Sequence, residues 1–284
     1  MTTHAPAVTI SPETASGHER QRPLVRNLRT FRMVWLRELI RLKRRPIRIL
    51  SGLVQPLLFL LVLGAGLKGL VASRDLPPGV SYQAFIFPGI LGMSIITSSL
   101  FAAVAIIWDR EFGFMHEMLV APVSRTSLVV GKAFGGGSVA VMRGIVLLAF
   151  APVVGVHLTL PRVIGALAAL FLLAFTLTSF GIVVAGRMER MESFQMVMAL
   201  LVQPMIFLSG ALFPLENLPG WLAVLCRLNP ATYGIDLCRR ALLPHPQALT
   251  IGDWLVPVWF DVAVVLALGA AMLAIAVRSF GKIE

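Results

Sequence analysis

The sequence predicts an all-α integral membrane protein: six transmembrane helices, an N-terminal amphipathic interfacial helix, and short re-entrant outer helices between spans five and six. Three observations carry this. Of 284 residues 57% are hydrophobic and only 14% charged, against roughly 25% charged in an ordinary globular domain, and mean hydropathy is +0.83. The apolar residues gather into runs as long as a bilayer is thick. The formal charge of +11 is segregated: residues 1–48 hold eleven Arg/Lys and three Glu, a net +8, which leaves +3 for the other 236 residues. A pI near 11.1 suggests nucleic acid in a soluble domain, but here the charge sits on one arm beside the apolar mass.

A helix needs about 20 apolar residues to cross about 30 Å of hydrocarbon. Residues 49–67, 84–108, 163–186 and 193–215 carry no charge, 133–161 only Arg143, and 254–277 only Asp261. Spans are therefore expected at about 49–70, 84–108, 133–157, 163–186, 193–213 and 254–277, with 278–284 as a C-terminal tail. A cleaved signal peptide is the competing reading of the first run, but the basic stretch before it is far too long for an n-region. With the N-terminus inside, eighteen Lys/Arg fall on the cytoplasmic side and six outside, the bias of cytoplasmic loops. Both termini are thus expected in the cytoplasm, as an even number of spans requires.

Residues 1–23 are rich in Thr, Ser, Pro and Ala without apolar periodicity and read as a disordered tail. Residues 24–48 form an amphipathic pattern. Leu24, Leu28, Phe31, Trp35, Leu39 and Leu42 share an arc of about 80° at 100° per residue. Arg22, Arg26, Arg29, Arg37, Arg41, Arg44 and Arg48 take the opposite side. Such a helix suits the membrane interface, on anionic lipid that fixes topology or also against a cytosolic partner. Pro46 interrupts it before the first span.

The ionisable residues exclude several chemistries. Asp261 is the single carboxylate inside an expected span, so the embedded relay of a proton-driven carrier is missing. The five His are scattered, with no His-Glu-x-x-His pattern, which argues against an intramembrane metalloenzyme. Gly131-Lys132 is followed by Ala133 and lacks the upstream glycine of a phosphate-binding loop. An ATP-driven process would need another chain to hydrolyse the nucleotide. Arg143 is the one base inside a span. It can snorkel toward headgroups, the span can start later, or the side chain can face a substrate or another subunit. Cys226 and Cys238 lie twelve residues apart in one outside segment, and spacing alone decides nothing about a disulfide.

Two segments are patterned. The cytoplasmic loop Asp109 to Arg125, DREFGFMHEMLVAPVSR, places Phe112, Met115 and Leu119 on one face of a short helix and Phe114 and Met118 on another; such a helix can lie on the membrane and insert into a partner's groove. The outside segment Ser209 to Pro244 is broken by Phe213-Pro214, Leu218-Pro219-Gly220-Trp221 and Asn229-Pro230 into short apolar helices, which are expected to dip into the outer leaflet.

With Phe87-Pro88-Gly89, Ala121 to Arg125, Gly131-Lys132 and Leu228-Asn229-Pro230-Ala231-Thr232-Tyr233, these segments resemble the membrane-spanning subunit of an ABC transporter of the ABC-2 type, in the daunorubicin-resistance and nodulation-export group. The resemblance runs from about Leu24 to Val277. It implies a half-transporter whose two copies, or a copy and a sister permease, pair and dock two separate ATP-binding subunits. This chain then holds no cofactor, ATP and Mg belonging to the partner, and no catalytic residue or metal. The loop after span two corresponds to the coupling helix, which gives Asp109, Arg110, Glu111, Phe112, Gly113, Phe114 and Glu117 that role. The family's Glu-x-Gly-Thr is Glu111-Phe112-Gly113-Phe114 here, so the helix start differs. Arg29, Trp35, Arg37 and Arg41 of the interfacial helix would also meet the ATPase. Phe213, Pro214, Leu218, Pro219, Trp221, Asn229, Pro230 and Tyr233 would form the outer gate.

The expected function is export of an amphipathic drug, lipid-linked or glycan-type molecule across a bacterial inner membrane. The uncharged Ser/Thr/Met/Phe-rich runs 84–108 and 193–215 suit a greasy cargo better than an ion. Membrane lipid is an expected partner and nucleic acid is not. An ion-coupled carrier or channel, and a non-transporting anchor for an ATPase, are the alternatives.

Overall fold

The computed structural model describes residues 23–44, 47–66, 81–111, 124–213, 215, 218–243, 250–251 and 254–281. In chain order these form α1 (Pro23–Lys43), α2 (Ile47–Gly66), α3 (Tyr82–Ala102), α4 (Val104–Glu111), α5 (Arg125–Leu148), a 3-10 turn (Ala151–Val154), α6 (Leu160–Arg187), α7 (Met191–Phe207), α8 (Gly220–Leu228), α9 (Pro230–Leu242), strands β1 (Thr250–Ile251) and β2 (Trp254–Leu255), and α10 (Val258–Gly281). The antiparallel pair Thr250↔Leu255 and Ile251↔Trp254 is a small departure from the all-helical expectation. Among the described residues four helices are long and apolar enough to cross a membrane: Tyr82–Trp108, Thr126–Leu148, Leu160–Arg187 and Val258–Ser279. Gly52–Gly64 and Met191–Phe207 are shorter apolar helices.

The element ends follow local chemistry. Ser81 caps α3 by accepting from the Ala84 N–H at 3.2 Å, and Ser124 caps α5 by accepting from the Ser127 N–H at 3.3 Å. That cap moves the third apolar helix to Arg125, eight residues before the expected start at 133, because Thr126 to Lys132 continue the helix at little cost. Arg143 therefore lies in the second half of α5, five residues before its last, and not in a late first turn. The last helix starts at Val258 rather than 254, since Trp254 and Leu255 are taken by β2. Asp261 accordingly stands in its first turn, where the helix dipole favours a carboxylate. The tail and the loops 67–80 and 112–123 lie outside the described residues.

The central helix is α6, which packs against α3, α5, α9 and α10. Its 28 residues run about 42 Å at 1.5 Å per residue, more than a hydrocarbon core. α3 is apolar all round and buried from Ala84 to Ile96, as expected of a helix enclosed by neighbours. Small residues let the helices close up. On α5, Gly131 and Gly135 face Val34 and Glu38 of α1, while Gly136 and Gly137 face Thr178 and Phe175 of α6. Thr176 Oγ1 donates to the Val265 carbonyl of α10 at 2.9 Å.

α1 does not lay its whole apolar stripe on the bilayer. Phe31 meets Phe134 edge-on at 5.5 Å, Trp35 Nε1 donates to Ser138 Oγ at 3.0 Å, and Leu42 is buried. Leu28, Met33, Leu36 and Ile40 stay exposed. A helical wheel cannot tell lipid from a neighbouring helix, and the glycines of α5 decide the matter here. Trp35→Phe, which loses the bond but keeps an aromatic ring, is expected to cost about 1 kcal/mol. Trp35→Ala is expected to cost about 2 kcal/mol for this half-buried ring. Thermal melts of the detergent-solubilised protein check both, and a melt identical to wild type for Trp35→Ala would show that α1 is not docked on α5.

Candidate functional site

Three regions hold the polar chemistry of the bundle. The first is the end of α4. Asp109 and Arg110 fall in its last turn, and Glu111 closes it. Glu111 Oε1 accepts from the backbone N–H of Met191, the first residue of α7, at 3.0 Å. The α7 N-cap, Arg190, offers no side-chain capping bond, so a carboxylate 80 residues away fills that role. Anionic groups are favoured at a helix N-terminus. Phe112, Gly113, Phe114 and Glu117 lie outside the described residues.

The second region is a cavity of about 440 Å³ between α1, α3, α4, α5 and α6, lined among others by Glu38, Arg41, Lys132, Arg143, Thr97 and Thr178. Glu38 Oε1 sits 3.5 Å from Arg41 and 4.0 Å from Arg37. A smaller cavity of about 110 Å³ lies between α2, α3, α5 and α7, and Arg143 and Thr97 line both. Of the α1 residues singled out in the sequence, Arg41 lines the larger cavity, Trp35 faces α5, and Arg29 is exposed.

The third region is a polar knot built around α9. Asn229 caps α9, its Oδ1 accepting from the Ala231 N–H at 3.0 Å, while its Nδ2 donates to the Met205 carbonyl near the end of α7 at 2.7 Å. Thr232 Oγ1 lies 2.6 Å from the Cys226 carbonyl and 3.2 Å from that of Leu208. The Tyr233 hydroxyl donates to the Arg227 carbonyl at 2.8 Å. The Asn-Pro-Ala-Thr-Tyr run thus satisfies carbonyls left open at the C-termini of α7 and α8, with Pro230 at the first position of α9, where a missing N–H costs nothing.

Arginines complete the knot. Arg239 Nη2 donates to the Gly210 carbonyl at 2.8 Å, and its guanidinium lies 4.6 Å from the centre of the Phe85 ring. Arg240 stands between two buried carboxylates, 2.6 Å from Asp236 Oδ2 and 3.3 Å from Asp261 Oδ2. It also donates to the Val256 carbonyl at 2.7 Å.

The sequence marks Asn229, Pro230 and Tyr233, which meet here, and misses Thr232, Asp236, Arg239, Arg240 and Arg143's position between cavities. The i,i+4 spacing of Asp236 and Arg240 was the available signal; the two arginines read instead as ordinary outside cations. α9 also corrects the expectation of a helix dipping into lipid. It is buried from Ala231 to Arg239 against α3, α6 and α10. The outward apolar surface belongs to α8, where Trp221 is 68% and Leu228 73% exposed. Phe213 and Leu218 are half-buried, Pro219 is exposed at the α8 N-cap, and Pro214 lies outside the described residues. Cys226 and Cys238 are free and buried.

Comparison with known proteins places these features. The chain matches the ABC-2 type transporter family over residues 29–243. It is 36% identical to the transport permease ycf38 of Cyanophora paradoxa over 202 residues, 70% of this chain and 69% of that one. It is 30% identical to nodulation protein J of Rhizobium leguminosarum bv. viciae over 218 residues, 76% of this chain and 83% of the relative. A match over most of the chain, on a bundle of apolar helices, establishes that this protein belongs to the ABC-2 type transporter family of transport permeases.

Proposed function

We propose that the chain is the membrane-spanning subunit of an ATP-driven exporter of amphipathic, lipid-linked or glycan-type cargo in a bacterial inner membrane, with both termini cytoplasmic. In this reading α2, α3 with α4, α5, α6, α7 and α10 are the six spans, the last three residues of α4, Asp109 to Glu111, and the loop beyond them dock on a separate ATP-binding subunit, and two permeases pair. ATP and its Mg are held by that partner, so this chain's task is mechanical.

The observation that carries the mechanism is the Glu111–Met191 bond. A push on the α4 end is delivered to the N-terminus of α7 through a charge-assisted hydrogen bond, and α4 itself packs on α6 and α7. Near the other end of α7 the Met205 carbonyl is held by Asn229, so the same helix connects the inner loop with the outer knot. Rigid-body movement of packed helices is an established way to turn a local displacement into opening at a distance.

The test is export from vesicles carrying the permease with its ATP-binding subunit. Glu111→Ala is expected to lower ATP-driven export about tenfold, the scale of one charge-assisted bond, while the complex still assembles on a size-exclusion column. Export unchanged in Glu111→Ala would sink the coupling assignment. Transport by the permease alone, driven by an ion gradient, would overturn the ATP-driven reading as a whole.

A further inference from the structure

The larger inner cavity has an unusual lining for a membrane bundle. Among the described residues, the cations Arg41, Lys132 and Arg143 and the carboxylate Glu38 line it. Arg143 is eighteen residues into α5, about 27 Å of helix from its start at 1.5 Å per residue. It stands five residues before the helix ends at Leu148, and an arginine inside a helix apolar enough to cross a membrane marks a candidate functional site. Thr178 supplies an independent sign: it is 1% exposed, lines the same cavity, and its hydroxyl has no hydrogen-bond partner among the described residues. A buried hydroxyl without a partner costs about 1–3 kcal/mol, which an acceptor arriving in the cavity would return. The neighbouring Thr97 and Ser98 hydroxyls already donate to Met93 and Ser94 carbonyls on their own helix, so Thr178 is the hydroxyl donor available there.

The smaller cavity supplies the other half of a ligand. Beyond Arg143 its walls are mostly apolar, with Pro56, Phe59, Ile90, Met93 and Ile206. A molecule bridging both would be anionic at one end and hydrocarbon at the other. The 440 Å³ volume lies within the usual range of about 300–1,000 Å³ for small-ligand sites.

We propose that these two cavities, adjoining at Arg143 and Thr97, bind a phosphate-bearing amphiphile, its phosphate held by Arg143, Lys132, Arg41 and the Thr178 hydroxyl and the start of its hydrocarbon chain lying against Phe59 and Met93. The site goes beyond the export reading and does not depend on it, since binding is measured without the ATPase.

The experiment titrates the purified full chain in detergent with dioleoyl phosphatidylglycerol, followed by native mass spectrometry and thermal melting. Dioleoylglycerol and inorganic phosphate are the separate arms. Wild type is expected to retain phosphatidylglycerol and melt higher with it, while dioleoylglycerol and inorganic phosphate bind at least about tenfold more weakly. Arg143→Gln is expected to weaken phosphatidylglycerol binding about tenfold or more, and Arg143→Lys to restore part of it. Thr178→Val keeps the shape and guards against misfolding. It is expected to weaken binding about threefold to tenfold while the lipid-free protein melts no lower than wild type. Phosphatidylglycerol affinity within twofold of wild type in Arg143→Gln or in Thr178→Val would overturn the proposal. So would equal binding of dioleoylglycerol, which denies a role to the phosphate, or of inorganic phosphate, which denies one to the chain. A resident phospholipid and a lipid-linked cargo present the same phosphate. Retention of the bound lipid through ATP turnover with the partner subunit identifies the former and its release the latter, the phosphate site standing in both.

Discussion

Gly89→Ala is expected to be among the most damaging single-methyl additions in this protein. A Cβ built on Gly89 would lie 1.9 Å from the Ala211 carbonyl oxygen and 2.6 Å from its carbon, and that oxygen belongs to a backbone that cannot simply rotate away. The segment it would displace turns at Gly210, with φ +66, and Gly210 accepts from Arg239. Ser209 beside it donates to the Ile206 carbonyl at 2.6 Å. One methyl on α3 therefore has to move the turn, its bond to Arg239 and the end of α7 together. Overpacking of this kind typically costs about 1–3 kcal/mol, occasionally more. We expect a melting temperature lower by several degrees and transport reduced by an order of magnitude or more. Gly66→Ala is the control, because among the described residues a Cβ there meets nothing within 4 Å. Equal melting temperatures for the two variants would contradict the packing of the turn on α3.

Arg240→Leu is expected to do as much harm through charge. The Arg240 side chain is only 13% exposed and the Asp236 and Asp261 side chains 5% and 0%. Removing the cation leaves two buried carboxylates facing each other, and breaking a buried pair from one side costs about 3–5 kcal/mol. The Val256 carbonyl also loses its donor, so the connection from β2 into α10 loosens as well. Asp261→Asn should cost less, since Asp236 stays 2.6 Å from Arg240. The double variant Arg240→Leu with Asp261→Asn should recover part of the single-variant loss. A thermal-melt cycle on the four proteins measures this coupling, and strict additivity would show that the ion cluster is not a unit.

The bundle was legible in the sequence because bilayer thickness imposes long uncharged runs, and runs need no tertiary knowledge to be read. The third and sixth starts were displaced for reasons a run length cannot show. Ser124 caps a helix that extends through Lys132, and Trp254 pairs with Ile251. The polar knot was half legible. Asn229 and Tyr233 stand in a recognisable run, but Arg239 and Arg240 read as ordinary outside cations until α9 is seen folded inward against α6. The inner cavity was least legible, since Thr178, Arg143 and Glu38 come from three helices far apart in the chain. Their meeting depends on Gly135 and Gly136 allowing α1 and α6 to approach α5.

The brevity of α7 has a consequence for the surrounding membrane. Its 17 residues extend about 26 Å at 1.5 Å per residue, some 4 Å less than an average hydrocarbon core, whereas α6 on the same bundle exceeds that core. Met196, Leu200 and Phe207 of α7 are exposed to whatever lies outside. In the six-span reading, the lipid annulus must thin on one flank and not on the other, at a fraction of a kcal/mol per Å of mismatch. A protein with such a lopsided girdle is expected to respond to the acyl-chain length of the lipids around it.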